Sequence, residues 1–489
     1  MTTLNTANLH AIGERVAVPT YDRSALTPGI IHFGVGGFHR AHQAMLLDRL
    51  MNDGEAHDWA IRGVGVLPGD KRMKQIMDAQ DGLYTLVVKH ANGEYEPRVI
   101  GSIVDYLHAP DDPETVIEAM AAETTRIVSL TVTEGGYNFD HVTGQFNFDE
   151  PDVACDLASE GPPKTTFGLI TEALRRRHER GQPPFTIQSC DNIQANGDTA
   201  RAMFTAFAGR KAPEIGTWME TEVQFPNAMV DRITPVTSDN DITEIRERFG
   251  IDDAWPVVCE PFIQWVIEDH FNLGRPPYEH VGAQFVDDVE PYEFMKLRVL
   301  NASHQALCYF GYLADYRYAH EVASDPLFAD FLLAYMAREA SPTLAPVPGV
   351  DLDAYRHTLI ERFANPEIKD TLARLCAESS DRIPKWLLPV IRDQLRSGGE
   401  MERAAAVVAS WARYAEGIDE AGHPIEIVDR LADELTTIAA DNRRNATAFV
   451  ENRPLFGDLV DNKRFTDAYC WALTSLHERG ARETLRALI

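Results

Sequence analysis

The chain has 489 residues, a formal net charge of −29 and six cysteines. A surface this acidic disfavours nucleic acid and anionic membranes as partners, although it leaves a locally bound anionic cofactor open. Six scattered cysteines with no Cys-x-x-Cys pair do not make a disulfide framework, and the length calls for two large domains or more.

The opening segment, Met1 to His10, lacks a basic stretch followed by an apolar run, so no secretory leader is expected and the cytoplasm is the default. No apolar run approaches the ~18 residues of a membrane span. Gly29-Ile30-Ile31-His32-Phe33-Gly34-Val35-Gly36-Gly37-Phe38-His39-Arg40-Ala41-His42 then reads as a strand, a glycine turn and the start of a helix. That order suits a dinucleotide pyrophosphate. Gly34 and Gly36 fit the fingerprint, but His39 stands at the third position, and a lone Gly-x-Gly is a weak signal.

Leu46, Leu47, Leu50 and Met51 fall at helical spacing, Gly54 can end that helix, and residues 59–66 read as the next strand. Strand, helix, strand implies a parallel sheet with a right-handed crossover. Further strands are expected over residues 84–88, 126–133 and 184–190. Ligands gather past the carboxyl ends of parallel strands, which directs attention to Glu134 and Asn192. Each has an ordinary alternative: a turn residue for Glu134 and a helix N-cap for Asn192.

Near residue 285 the pattern changes. Helices are expected over residues 293–312, 326–337, 354–362, 368–376 and 401–414, with a proline-rich loop over 341–349. The fold class expected is α/β, with a Rossmann-like domain over residues 1–285 and a mainly helical domain over 286–489.

The helical domain opens on Tyr292-Glu293-Phe294-Met295-Lys296-Leu297-Arg298-Val299-Leu300-Asn301-Ala302-Ser303-His304. At ~100° per residue from Lys296, Glu293 lies at about 60°, His304 at about 80° and Asn301 at about 140°. Leucines fall among these polar groups, which a fully solvated face would not produce. A buried lysine has a lowered pKa and can take a hydroxyl proton. Asparagine amides can steady a developing alkoxide. His32, His39 and His42 offer no zinc site, because no further ligands cluster with them in the sequence.

Five separated stretches complete the picture: the glycine turn with Phe38-His39-Arg40-Ala41-His42, Thr131-Val132-Thr133-Glu134-Gly135-Gly136-Tyr137, Ser189-Cys190-Asp191-Asn192, residues 225–235 (FPNAMVDRITP) and the Lys296/Asn301/His304 helix. Together they resemble the polyol-specific long-chain dehydrogenases over nearly the whole chain. The resemblance implies NAD-dependent, metal-independent oxidation of a polyol at carbon 2, D-mannitol to D-fructose and the reverse. It implies Lys296 as general base, Asn192 and Asn301 as the oxyanion hole, and Glu134 as proton relay. It places His304, Asp231 and Arg374 on substrate hydroxyls, with Glu293 on the same face of the helix. It seats the cofactor over Gly34, Gly36, Gly37 and Phe38, with Asp70 favouring NAD.

Two departures stand out. Gly69 precedes Asp70 where some relatives carry a second acid, and Arg382 lies near where relatives can carry lysine. Asp70 is also about 34 residues past Gly36, further than the usual ~20. The family implies a monomer. Relatives act on D-arabinitol, sorbitol or hexuronates such as fructuronate, so these substrates remain alternatives. A non-catalytic dinucleotide sensor is the reading the glycine turn alone would permit.

Overall fold

In the computed structural model, residues 1–139 and 144–489 are described. They form two compact units, Met1–Val289 and Glu290–Ile489. The break falls just past residue 285, where the sequence pattern changes.

The first unit is organised by strands β1 (Pro28–Phe33), β2 (Ala60–Gly65), β3 (Ile103–His108), β4 (Ile127–Leu130) and β5 (Thr186–Ser189). All neighbours pair in parallel, in the order β3-β2-β1-β4-β5. The two central strands β1 and β4 are mostly apolar and buried, as strands covered on both faces should be. Ile30 and Ile127 feed one core cluster, while Ile31, Phe33, Val128 and Leu130 feed the other. Strand order reverses on either side of β1, so the topological switch point lies between β1 and β4.

Two smaller sheets accompany it. The strand expected over residues 84–88 forms as Tyr84–Lys89 outside the main sheet; it pairs with Val257–Cys259 in parallel and Tyr95–Ile100 antiparallel. Ala228–Asp231 pairs antiparallel with Gln264–Glu268, which also carries Gln284–Val286. The helix expected after the glycine turn is two helices, Gly37–Ala41 and Gln43–Asn52, separated at His42. Gly54, at φ +84°, follows the second.

The second unit is helical. Ala302–Leu313 is buried almost all round and packs against Leu372–Cys376, Glu402–Tyr414 and Lys463–Arg486. The helix expected over residues 368–376 forms only from Leu372, because Thr371 acts as N-cap and its side chain accepts the Arg374 N–H. Residues 293–312 are not one continuous α-helix either: Lys296–Asn301 is a π-turn between two α-helices. Among the described residues, no helix is long and apolar enough to cross a membrane.

Candidate active site

The glycine turn leaves β1 at the switch point. Gly34 has φ +88°, and a Cβ there would stand 2.1 Å from the Thr131 carbonyl oxygen. Glycine at 34 is therefore required by the fold itself. Gly36 is different. It is exposed, and a Cβ there would meet nothing nearer than the Gly34 carbonyl at 3.8 Å. The interior does not demand glycine at 36; its bare backbone leaves room above the turn for a close-lying ligand, as a pyrophosphate needs. Gly37 begins the short helix, and Phe38 stacks on His42 with ring centroids 4.9 Å apart.

His39, at the third fingerprint position, is buried and stacks on His32 at 3.4 Å. His32 Nδ1 lies 2.8 Å from Ser129 Oγ, and Nε2 lies 2.9 Å from Thr131 Oγ1. Thr131 spends its own proton on the Gly34 carbonyl, at 2.7 Å. It must then accept from His32 Nε2–H, which leaves Nδ1 to accept from Ser129. Burial pushes the His32 pKa down to about 3 and holds His39 well below 6.5, so both rings are neutral. The pair pins the turn across the β1–β4 seam.

Asp70 stands past the carboxyl end of β2, next to β1 in the sheet, so the long sequence spacing still ends at the strand where a ribose-binding acid is expected. Its Oδ2 accepts the Leu67 N–H at 2.9 Å, and its Cβ lies where a side chain on Gly65 would otherwise sit.

Glu134, Asn192 and Asp231 come from three strand ends. The strand expected over 126–133 stops at Leu130, and Thr133 turns sharply to φ +64°, ψ 170°, placing Glu134 first in a 3₁₀ turn. That backbone region is almost confined to glycine and costs a β-branched residue about 1–3 kcal/mol. Asn192 is exposed just past β5. The following helix begins only at Asn196, so Asn192 is not its N-cap. Asp231 is buried at the end of its strand, opposite Gln264. The guanidinium of the adjacent Arg232 donates to the carbonyls of Glu260 and Ala41.

Asp191 lies between β5 and Asn192. It is buried, and its carboxylate accepts from Val132 N–H (3.1 Å), Thr133 N–H (2.7 Å) and the Tyr137 hydroxyl (2.8 Å). Burial pushes its pKa up, against the pull of those three donors. Asn196, fully buried, bonds the Asp191 carbonyl and both backbone groups of Ala228. The only sequence signal was position: an acid directly after a buried strand.

In the helical unit, Glu293, Lys296 and Asn301 are all under a tenth exposed. The Ala302 N–H reaches the Leu297 carbonyl, five residues back. This i→i+5 register corrects the α-helical angles: the wider turn narrows the ~140° that an α-helix would put between residues 296 and 301. Asn301 Nδ2 is buried and has no acceptor among the described residues. Buried amides are normally satisfied, so an orphan donor here marks a place for a ligand oxygen. His304 is half-buried, its ring 4.4 Å from that of Phe363. Arg374 is not buried with them; it is exposed and held by Asp370. Arg382 donates to the Arg374 and Leu375 carbonyls.

Asp315, Asp419 and His423 in this unit could in principle share a cation. Arg317 already pairs with both carboxylates, at 2.9 and 3.2 Å.

A parallel sheet in this strand order, with a glycine turn at the switch point, defines a dinucleotide-binding Rossmann domain. Residues 28–280 match the mannitol dehydrogenase Rossmann domain, and residues 288–477 match the mannitol dehydrogenase C-terminal domain. The chain belongs to the mannitol dehydrogenase family, and so to the polyol dehydrogenases. It is 46% identical over 493 residues to mannitol 2-dehydrogenase of Aspergillus fumigatus, covering 99% of this chain and 98% of the relative. The structure of Pseudomonas fluorescens mannitol 2-dehydrogenase in ternary complex with NAD and D-mannitol is 45% identical, with TM-score 0.90, and covers 100% of this chain and 99% of that one. A substrate-free D-sorbitol dehydrogenase is 34% identical, with TM-score 0.92, covering 99% of this chain and 100% of its own.

Proposed function

We propose that this protein oxidises D-mannitol at carbon 2 to D-fructose with NAD, and catalyses the reverse, without a metal. The observation that carries the reading is the buried π-turn, which holds both Lys296 and Asn301, an asparagine whose amide donor lacks an acceptor among the described residues. It is supported by the full-length similarity to mannitol 2-dehydrogenases.

Bound NAD supplies the hydride acceptor. Gly34 and Gly36 shape its turn, Gly37 and Phe38 border it, and Asp70 favours the unphosphorylated ribose. Lys296 Nζ takes the proton of the carbon-2 hydroxyl as hydride leaves that carbon, and returns it in the reductive direction. Asn192 and Asn301 donate to the developing alkoxide, where preorganised donors act most strongly. Glu134 passes the proton on to water. His304, Asp231, Arg374 and Glu293 hold the other hydroxyls, with Arg374 aimed by its bond to Asp370.

A substrate panel tests this. Turnover followed at 340 nm should be best with mannitol and fructose, with NAD preferred over NADP, and unchanged by chelator. The D-sorbitol dehydrogenase of the same fold motivates sorbitol as the second reading; arabinitol and fructuronate complete the panel. No turnover with any polyol would leave the dinucleotide-sensor alternative standing.

A further inference from the structure

We propose that Asp191 is a positioning residue: its carboxylate anchors the Val132–Thr133 backbone and so sets where Glu134 stands. The inference rests on the proton-relay reading of Glu134. Thr133 occupies a backbone conformation that only glycine adopts freely, so something must hold it there. Asp191 Oδ1 takes the Thr133 N–H and Oδ2 the Val132 N–H. On the far side, the Thr133 carbonyl is held by the Gly136 N–H at 3.0 Å. Thr133 is thus clamped at both ends, with Glu134 the next residue.

The clamp is itself fixed. The Tyr137 hydroxyl bridges Asp191 Oδ2 and Ser189 Oγ, at 2.8 and 2.5 Å. Asn196 ties the Asp191 carbonyl to Ala228, the first residue of the strand that ends at Asp231. Asn192 is the residue after the anchor. One buried polar chain therefore laces together the strand ends that present Glu134, Asn192 and Asp231. Geometry errors of about an ångström at such residues are worth roughly a hundredfold in rate.

Asp191→Asn tests the idea. The amide retains one acceptor and turns an NH₂ toward a backbone donor. The expected result is a roughly ten- to hundredfold fall in kcat, with the Kd for NAD within about twofold and faster hydrogen exchange at Val132 and Thr133. A fall in kcat that only tracks the folded fraction, or faster exchange with unchanged kcat, overturns the proposal.

Thr133→Gly sharpens the test, because glycine takes this conformation without strain. In the T133G background, D191N should change kcat by less than about threefold. An undiminished effect overturns the proposal. If D191N alone does not fold, the double variant must fold and turn over close to T133G; a double variant that also fails to fold overturns it. If the wild-type protein shows no turnover with mannitol and NAD, the proposed function fails. In that case exchange at the two amides still decides whether Asp191 anchors the turn.

Discussion

The two units present their candidate residues in opposite ways. In the Rossmann unit, Glu134 and Asn192 sit past the ends of two strands and Asp231 at the end of a third, and buried side chains tie those ends together. In the helical unit, Glu293, Lys296, Asn301 and His304 share one continuous stretch of helix, and a single π-turn sets their facing. A strand-end site depends on residues far from the chemistry. A helical site depends on one local register.

The largest expected effect falls in the helical unit. Lys296→Met should lower kcat by roughly a thousandfold with little change in the Kd for NAD, measured by steady-state turnover and fluorescence titration. Wild-type turnover in that variant would remove the helix from the chemistry and leave only the Rossmann unit's contribution. Asn301→Ala should cost about a hundredfold in kcat. It should be well tolerated in stability, because it deletes a buried donor without an acceptor among the described residues. A loss of stability without loss of kcat would make Asn301 a packing residue.

The glycine turn separates fold from function inside the Rossmann unit. Gly34→Ala meets the Thr131 carbonyl at positive φ and should destabilise by at least about 1–3 kcal/mol in chemical denaturation. Gly36→Ala should stay within about 0.5 kcal/mol of wild type while weakening NAD binding. Equal effects on stability would show that the exposed glycine serves the fold after all.

The smallest effect concerns the histidine stack. Below pH 6.5 the unfolded chain protonates His39, while the folded chain keeps it neutral. The folded state then binds fewer protons, and stability falls as pH drops. His39→Phe keeps an aromatic ring against His32 and removes this titration. The stability lost between pH 7 and pH 5 should therefore be smaller in His39→Phe than in wild type, read from urea midpoints at the two pH values. An unchanged difference would mean that His39 is not held neutral.

Much of this was legible along the chain because the signals are local. Residues 30–33 are apolar but for His32 since both faces of β1 are covered, and glycine at 34 is dictated by a turn that begins one residue after the strand. Lys296, Asn301 and His304 are close in sequence, so helical spacing alone brought them to one side. Facing within that helix was less accurate, because an i→i+5 turn leaves no mark in an apolar pattern. Tyr84–Lys89 has the composition of a buried strand, but composition does not name a strand's neighbours, and it pairs outside the main sheet.

By itself, then, the sequence determined the two-part organisation, the glycine turn with its dinucleotide logic, and the residue types available for proton transfer. Each follows from periodicity, backbone conformation or side-chain chemistry within a short window. Tertiary structure alone decided why His39 can replace a glycine, why Thr133 can hold a glycine-like conformation, and how Asp191 and Asn196 join three strand ends. Those outcomes rest on hydrogen bonds between residues tens to about a hundred positions apart, such as His32 with Thr131 and Thr133 with Asp191. Such bonds form only after the parallel sheet has brought β1, β4 and β5 side by side, and no pattern along the chain encodes them.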